Sequence, residues 1–225
     1  ASRTQSVVVM AGYRLAPEYV YPTASNDCWD SLKWVDSNIE KVAGARVPLI
    51  VAGDSAGGNL AAVVAQRASQ EGTPALSLQV LVYPVTDGAM NTASHGDPDN
   101  QLMLSHESMS WFWDHYAPDT QQRLEPGASP LNADDLSGVA PALVLTAEYD
   151  VLRDEGEAYA NKLQEAGVEV VHKRFERQIH GFFTMHDVLP GAIRALEYVG
   201  EQIDRHLAKG SAVDAVIVGA GFAGL

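Results

Sequence analysis

Short apolar runs recur along the chain, and between them lie longer stretches in which apolar positions return every three or four residues. Val7 to Met10, Leu49 to Ala52, Leu76 to Tyr83, Ala142 to Thr146 and Val168 to Phe175 predict strands. Ser25 to about Lys41, the stretch after Ser55 to about Ser69, Asp154 to Ala166 and Leu189 to Leu207 predict helices. Strands that alternate with helices predict a mostly parallel sheet with helices on both faces. Val7 to Met10 has no polar position and reads as buried on both sides. Ser25 and Asp154 are placed to cap their helices, and Gly167 to stop one. Behind Lys209-Gly210-Ser211, Val213 to Val218 predicts a sixth strand.

The alternation breaks between Asp87 and Pro141, a segment rich in Asp, Asn, Gly, Ser and Pro. One amphipathic helix, Ser105 to Tyr116, interrupts it and carries Met109, Trp111, Phe112, Trp113 and Tyr116. The segment is too long for a simple connection, so it reads as an insertion that covers something. Packing explains at least two of the four aromatic residues, and Met103 and Leu104 can be read either way. His95, His106 and His115 in this segment read as surface or lid residues.

A chain of 225 residues suits one good-sized α/β domain and a tail. The formal charge of −14 excludes nucleic acid and anionic membrane as partners, since both require clustered Lys and Arg. Cys28 is the lone cysteine and cannot form an intrachain disulfide, so a reducing cytoplasm is the simplest location. It reads as a packed residue and not as a nucleophile. No apolar stretch is long enough to span a bilayer. The chain begins without Met close to a strand and ends just after a glycine turn, which reads as an internal piece of a longer protein.

The densest chemical signal is Val47-Pro-Leu-Ile-Val-Ala-Gly53-Asp54-Ser55-Ala56-Gly57-Gly58, an apolar run that passes through Gly-x-Ser-x-Gly into good helix formers. This is the form of a nucleophile elbow, a sharp strand-to-helix turn that presents a serine hydroxyl. Small neighbours are needed because the backbone is strained and closely packed. Ser55 is the candidate nucleophile, and a serine needs a base and a carboxylate to orient that base. Asp150 and His180 follow in the expected order, each just past a strand end. Glu148 and Asp154 compete for the acid role, and His172, His186 and His206 for the base.

Six blocks together resemble the hormone-sensitive-lipase-like esterases: Tyr13-Arg-Leu-Ala-Pro-Glu18, Gly53-Asp-Ser-Ala-Gly-Gly58, Tyr83-Pro-Val-Thr-Asp87, Ser129-Pro-Leu131, Tyr149-Asp-Val-Leu-Arg-Asp-Glu155 and Ile179-His-Gly-Phe182. The resemblance runs from about residue 7 to residue 207 and implies an α/β-hydrolase fold with a partial cap insertion. It implies a small-molecule ester substrate, no cofactor and no metal, with Ser55, Asp150 and His180 as the triad. Trp111, Phe112 and Tyr116 would then line the substrate pocket. Val151 replaces the family's proline, a change expected to be tolerated on a loop. The family's His-Gly-Gly-Gly oxyanion loop is not in this sequence, which leaves the Ala56 N–H for that role. In relatives that loop ends a strand lying between the counterparts of Val7 to Met10 and Leu49 to Ala52. The expectation is therefore an N-terminally truncated sheet with unpaired backbone at its middle.

Asp214-Ala-Val-Ile-Val-Gly219-Ala-Gly221-Phe-Ala-Gly224-Leu225 is a β-branched strand running into Gly-x-Gly-x-x-Gly. Glycines at this spacing allow a tight turn and close approach to a pyrophosphate. The tail resembles the start of FAD-dependent oxidoreductases, most closely type I Baeyer-Villiger monooxygenases. The resulting domain reading is an esterase over 1–207, a linker over 208–212, and the start of an FAD-binding Rossmann domain over 213–225. In it, Gly219, Gly221 and Gly224 serve a covalently linked flavoprotein whose ester product the hydrolase would split. The alternatives are a non-catalytic partner module of such a monooxygenase, or an oxidoreductase alone.

Overall fold

Every apolar run singled out above becomes a strand. A computed structural model describes residues 4–209 and 215–220. The strands are β1 (Val7–Met10), β2 (Leu49–Asp54), β3 (Leu76–Val82), β4 (Ala142–Tyr149), β5 (Val170–Ile179) and β6 (Val216–Ala220). They form one sheet in the order β1-β6-β2-β3-β4-β5, with every pairing parallel. The helices are α1 (Thr23–Ser37), α2 (Ile39–Ala43), α3 (Ala56–Glu71), α4 (Ala93–Gly96), α5 (His106–Tyr116), α6 (Arg153–Glu165) and α7 (Pro190–Lys209). Among the described residues no helix is long and apolar enough to cross a membrane.

Alternation along the strands divides the core in two. On one face Leu49, Val51, Leu81, Val144, Val216 and Val218 pack against α1, α3 and α6 through Leu32, Val35, Leu60, Val64, Tyr159 and Leu163. On the other, Ile50, Val80, Val82, Leu143, Leu145 and Phe175 meet α7 through Ala195, Ile203 and Leu207. Each fully buried aliphatic side chain contributes about 1.5–3 kcal/mol, so the centre of the sheet is the best secured part of the molecule. Cys28 lies in the first of these layers. Burial pushes its thiol up to about 12, which removes it as a nucleophile at neutral pH.

Three expectations are corrected here. Val7 to Met10 is not buried on both faces: β1 is an edge strand, with Val7, Val8 and Met10 37%, 39% and 63% exposed. Ser25 does not cap α1, because the helix begins earlier at Thr23 and the Ser25 hydroxyl donates back to the Pro22 carbonyl. Asp154 does not cap α6: its carboxylate accepts from the Ser94 amide and from Arg153.

The largest correction concerns the C-terminal strand, read above as the start of a separate Rossmann domain, and the mid-sheet backbone expected to be unpaired. Val216 pairs with both Val7 and Leu49, and Gly219 with both Met10 and Ala52, so β6 fills the position between β1 and β2. Val7 and Ala11 donate to the carbonyls of Ala215 and Gly219, and Val216 donates to Pro48. The physical reason is complementarity: two parallel strands with unpaired edges offer a complete ladder to any short β-branched run of the right parity. Gly219 fits closely there, since a Cβ on it would sit 3.2 Å from Met10 Sδ. Gly221 and Gly224 lie outside the described residues.

Candidate active site

The turn from β2 into α3 holds Ser55 at φ 56° and ψ −120°, a left-handed conformation that costs a non-glycine residue on the order of 1–3 kcal/mol. Its surroundings enforce it. A Cβ on Gly53 would overlap the Gly57 carbonyl, and one on Gly58 would come within 3.0 Å of Pro84. The Ser55 amide donates to Val82 at 2.9 Å, and the Val85 amide donates to the Ser55 carbonyl at 3.3 Å, so the turn is stitched to the end of β3. Asn59, buried in the first turns of α3, donates to the carbonyls of Val85 and Ala128.

The structure brings together the three residues singled out by order and position. Ser55 Oγ lies 2.9 Å from His180 Nε2, and His180 Nδ1 lies 2.7 Å from Asp150 Oδ2. A carboxylate on Nδ1 fixes the tautomer: Nδ1–H donates to Asp150, and Nε2 is left to accept from the serine hydroxyl. All three residues are buried, and the second Asp150 oxygen accepts the Leu152 amide at 2.9 Å. Of the rivals, Glu148 accepts the Arg177 amide, His172 bonds Thr146, His206 bonds Ser77, and His186 is exposed beside Asp187. None of them reaches Ser55.

Ala56 is the first residue of α3, where amides have no intrahelical acceptor, and it borders the cleft beside Ser55. The cleft has a volume of about 390 Å³. Its walls include Val85, Leu104, Met109, Phe112 and Tyr116, with Trp111 at the rim and 53% exposed. Trp113 also borders it, yet is buried in a cluster with Val85, Val151 and Leu152, so its role is packing. Met103 and Leu104 both border the cleft, the first exposed and the second buried.

Several supporting residues were not anticipated. His95 is no surface residue: it is buried, with Nε2 2.9 Å from Glu155 Oε2. Glu155 also accepts the amides of Thr86 and Asp87 and thereby ties α6 to the loop after β3. Its complete burial holds the carboxyl above the usual range, against the pull of these donors. Ser94 donates to the Val151 carbonyl at 2.6 Å and clamps the loop that carries Asp150. Val151 lies on that loop as expected, yet is fully buried there. No local sequence signal marks Ser94, His95 or Glu155 as partners, because the contacts join segments about sixty residues apart.

A parallel sheet covered on both faces, with a serine on a strained strand-to-helix turn, is the architecture of the α/β hydrolases. The profile of the alpha/beta hydrolase fold family matches residues 1–184, and the chain belongs to that family. It is 39% identical over 201 residues to an ethyl acetate hydrolase of Pseudomonas putida, covering 89% of this chain and 63% of that protein. It is 39% identical over 195 residues to carboxylesterase NlhH of Mycobacterium tuberculosis, covering 85% of this chain and 61% of that one. Among solved structures, an esterase of Pyrobaculum calidifontis superimposes with a TM-score of 0.82 at 41% identity, over 87% of this chain and 64% of its own. The chain thus spans about three fifths of the length of the curated relatives it matches.

Proposed function

We propose that the chain carries a carboxylic-ester hydrolase acting through an acyl-enzyme, with Ser55, His180 and Asp150 as its triad. The observation that carries the reading is the continuous relay from Ser55 Oγ through the imidazole to Asp150, at 2.9 and 2.7 Å. His180 Nε2 takes the hydroxyl proton as Ser55 Oγ attacks the ester carbonyl, and Asp150 holds the imidazolium that forms. The Ala56 N–H faces the developing oxyanion. Collapse of the tetrahedral intermediate breaks the C–O bond, and the alcohol leaves with the proton from His180. Water then attacks the acyl-enzyme with His180 again as base, which releases the acid and restores Ser55. The apolar cleft favours small or medium apolar esters, bordered by Trp111, Phe112 and Tyr116. The esterase names of the relatives support the same reading.

A fluorophosphonate probe tests it: Ser55 is the expected adduct, and labelling that survives Ser55→Ala within this chain refutes the assignment. Cys28, unpaired and buried, fits a reducing compartment, and the cytoplasm is where we place the protein.

We infer a flavin-binding continuation from the Gly219-x-Gly221-x-x-Gly224 spacing alone, with the boundaries 1–207, 208–212 and 213–225. β6 competes with this reading, because a strand paired between β1 and β2 cannot also open a Rossmann sheet. An extended protein that gains flavin absorbance, and loses it on Gly221→Ala while still splitting an added ester, supports the flavin reading. Absence of flavin overturns it.

A further inference from the structure

Tyr83 opens one of the blocks singled out in the sequence, and the hydrolytic reading leaves it without a task. It follows β3 directly, at the end of the sheet where Ser55 and His180 meet. Its φ is +36°, left-handed for a bulky aromatic residue, and its amide is anchored to the Leu145 carbonyl at 2.6 Å. Such a conformation persists only where the surroundings over-determine it, and it points to a functional constraint. The side chain is 1% exposed. Its ring centroid lies 4.6 Å from that of the His180 imidazole at an interplanar angle of 51°, and it also meets Phe182 edge to face, with centroids 5.9 Å apart.

We propose that Tyr83 is a positioning residue for His180: its ring is the platform that keeps Nε2 aimed at Ser55 and receives the imidazolium during turnover. The inference rests on the reading of His180 as the base. The groups facing the imidazole are few. Asp150 holds Nδ1, Ser55 faces Nε2, and the carboxyl of Asp54, at the end of β2, interacts with it through space. The Tyr83 ring packs against the imidazole at a tilt of 51°, and its hydroxyl is directed at Asp54 Oδ2, 3.5 Å away. An aromatic face carries negative potential, so the contact strengthens when the imidazole takes the serine proton and relaxes when it returns it. A carboxylate at Nδ1 fixes the ring in one direction only; the tilted ring contact at 4.6 Å adds a second restraint on its orientation. Burial raises the Asp54 carboxyl above its ordinary range.

The test is a graded one on the whole chain. Tyr83→Phe keeps the face and removes the hydroxyl, and its kcat is expected within ~3-fold of the parent. Phenylalanines carrying one, two and three ring fluorines at position 83 then weaken the face with little change of shape. The expected result is a stepwise fall in kcat, reaching roughly 3- to 30-fold, with KM unchanged. Tyr83→Leu is expected to lose at least as much, and to slow fluorophosphonate labelling in parallel. A kcat indifferent to fluorination in proteins that melt like the parent overturns the proposal, whether or not Tyr83→Leu folds. Hydrolysis that survives Ser55→Ala overturns instead the reading on which the proposal rests, so the two failures are distinguishable.

Discussion

On one side of β2 lie β3 and β4, nearest neighbours whose strands are buried almost throughout and covered on both faces by helices. On the other lie β6 and β1, a strand drawn from the far end of the chain and an edge strand with three exposed apolar residues. The two sides of one sheet are secured by different means. Toward β3, backbone, core and side-chain bonds over-determine the geometry: the Ser55 turn, the Tyr83 conformation and the Glu155 link all depend on the same few loops. Toward β1, the order rests on the two ladders of β6, one with β2 and one with β1. The difference teaches that strain at Ser55 and Tyr83 is tolerable because the well-braced side supplies it, while the other side only completes the sheet.

The largest effect should come from the braced side. Ser55→Ala and His180→Ala are each expected to lower kcat/KM by roughly 10³-fold or more, and the double variant to lose little beyond either. Additive losses would break the picture of one unit. The comparison itself is sharpened by placing the same charge on the inserted strand and on its edge neighbour. Val216→Asp buries an unpaired carboxylate and should destabilise by about 3–5 kcal/mol, whereas Val8→Asp on the exposed edge should stay within about 0.5 kcal/mol. Hydrogen exchange should show the amides of β1 opening before those of β3 in Val216→Asp. Simultaneous opening would mean that the two sides are equally braced.

A smaller effect is expected at the turn itself. Gly53→Ala drives a methyl into the Gly57 carbonyl and should cost about 1–3 kcal/mol by overpacking, with turnover falling further than stability because Ser55 moves. Melting and kcat measured together decide this. The smallest is a pH effect. Burial raises the Asp54 carboxyl, so the folded protein holds that proton more firmly than the unfolded chain does. Its contribution to stability is present below the unfolded value, about 3.9, and is lost as the pH rises through the folded value. Asp54→Asn should therefore raise the melting temperature at neutral pH and change it little near pH 4. The opposite order would show that the buried carboxylate is net stabilising.

The elbow was legible because its constraint is local: Gly53, Ala56, Gly57 and Gly58 are small for reasons acting within five residues of Ser55. Asp150 and His180 were legible as positions at strand ends, though order and spacing alone left Glu148, Asp154 and three other histidines in contention, and the family blocks narrowed the choice. The Ser94 and Glu155 links were not legible, since each joins loops far apart in sequence. Nor was the place of β6. A β-branched run states that it is a strand, but strand order in a parallel sheet is a non-local property, and the same residues that promise a nucleotide fold also fit an open ladder. Val7 to Met10 misled for the same reason, since apolar content does not report how many neighbours a strand has.

The position of β6 also sets a timetable. Val7 pairs with a residue 209 positions further along, so β2 through β5 and α7 are made between the two strands that this ladder joins. Closing so long a loop is entropically slow. Until β6 arrives, β1 and the near edge of β2 face solvent as two open strand edges, the surfaces most prone to pair with another chain. Yield on synthesis should therefore depend on β6 more than stability after folding does.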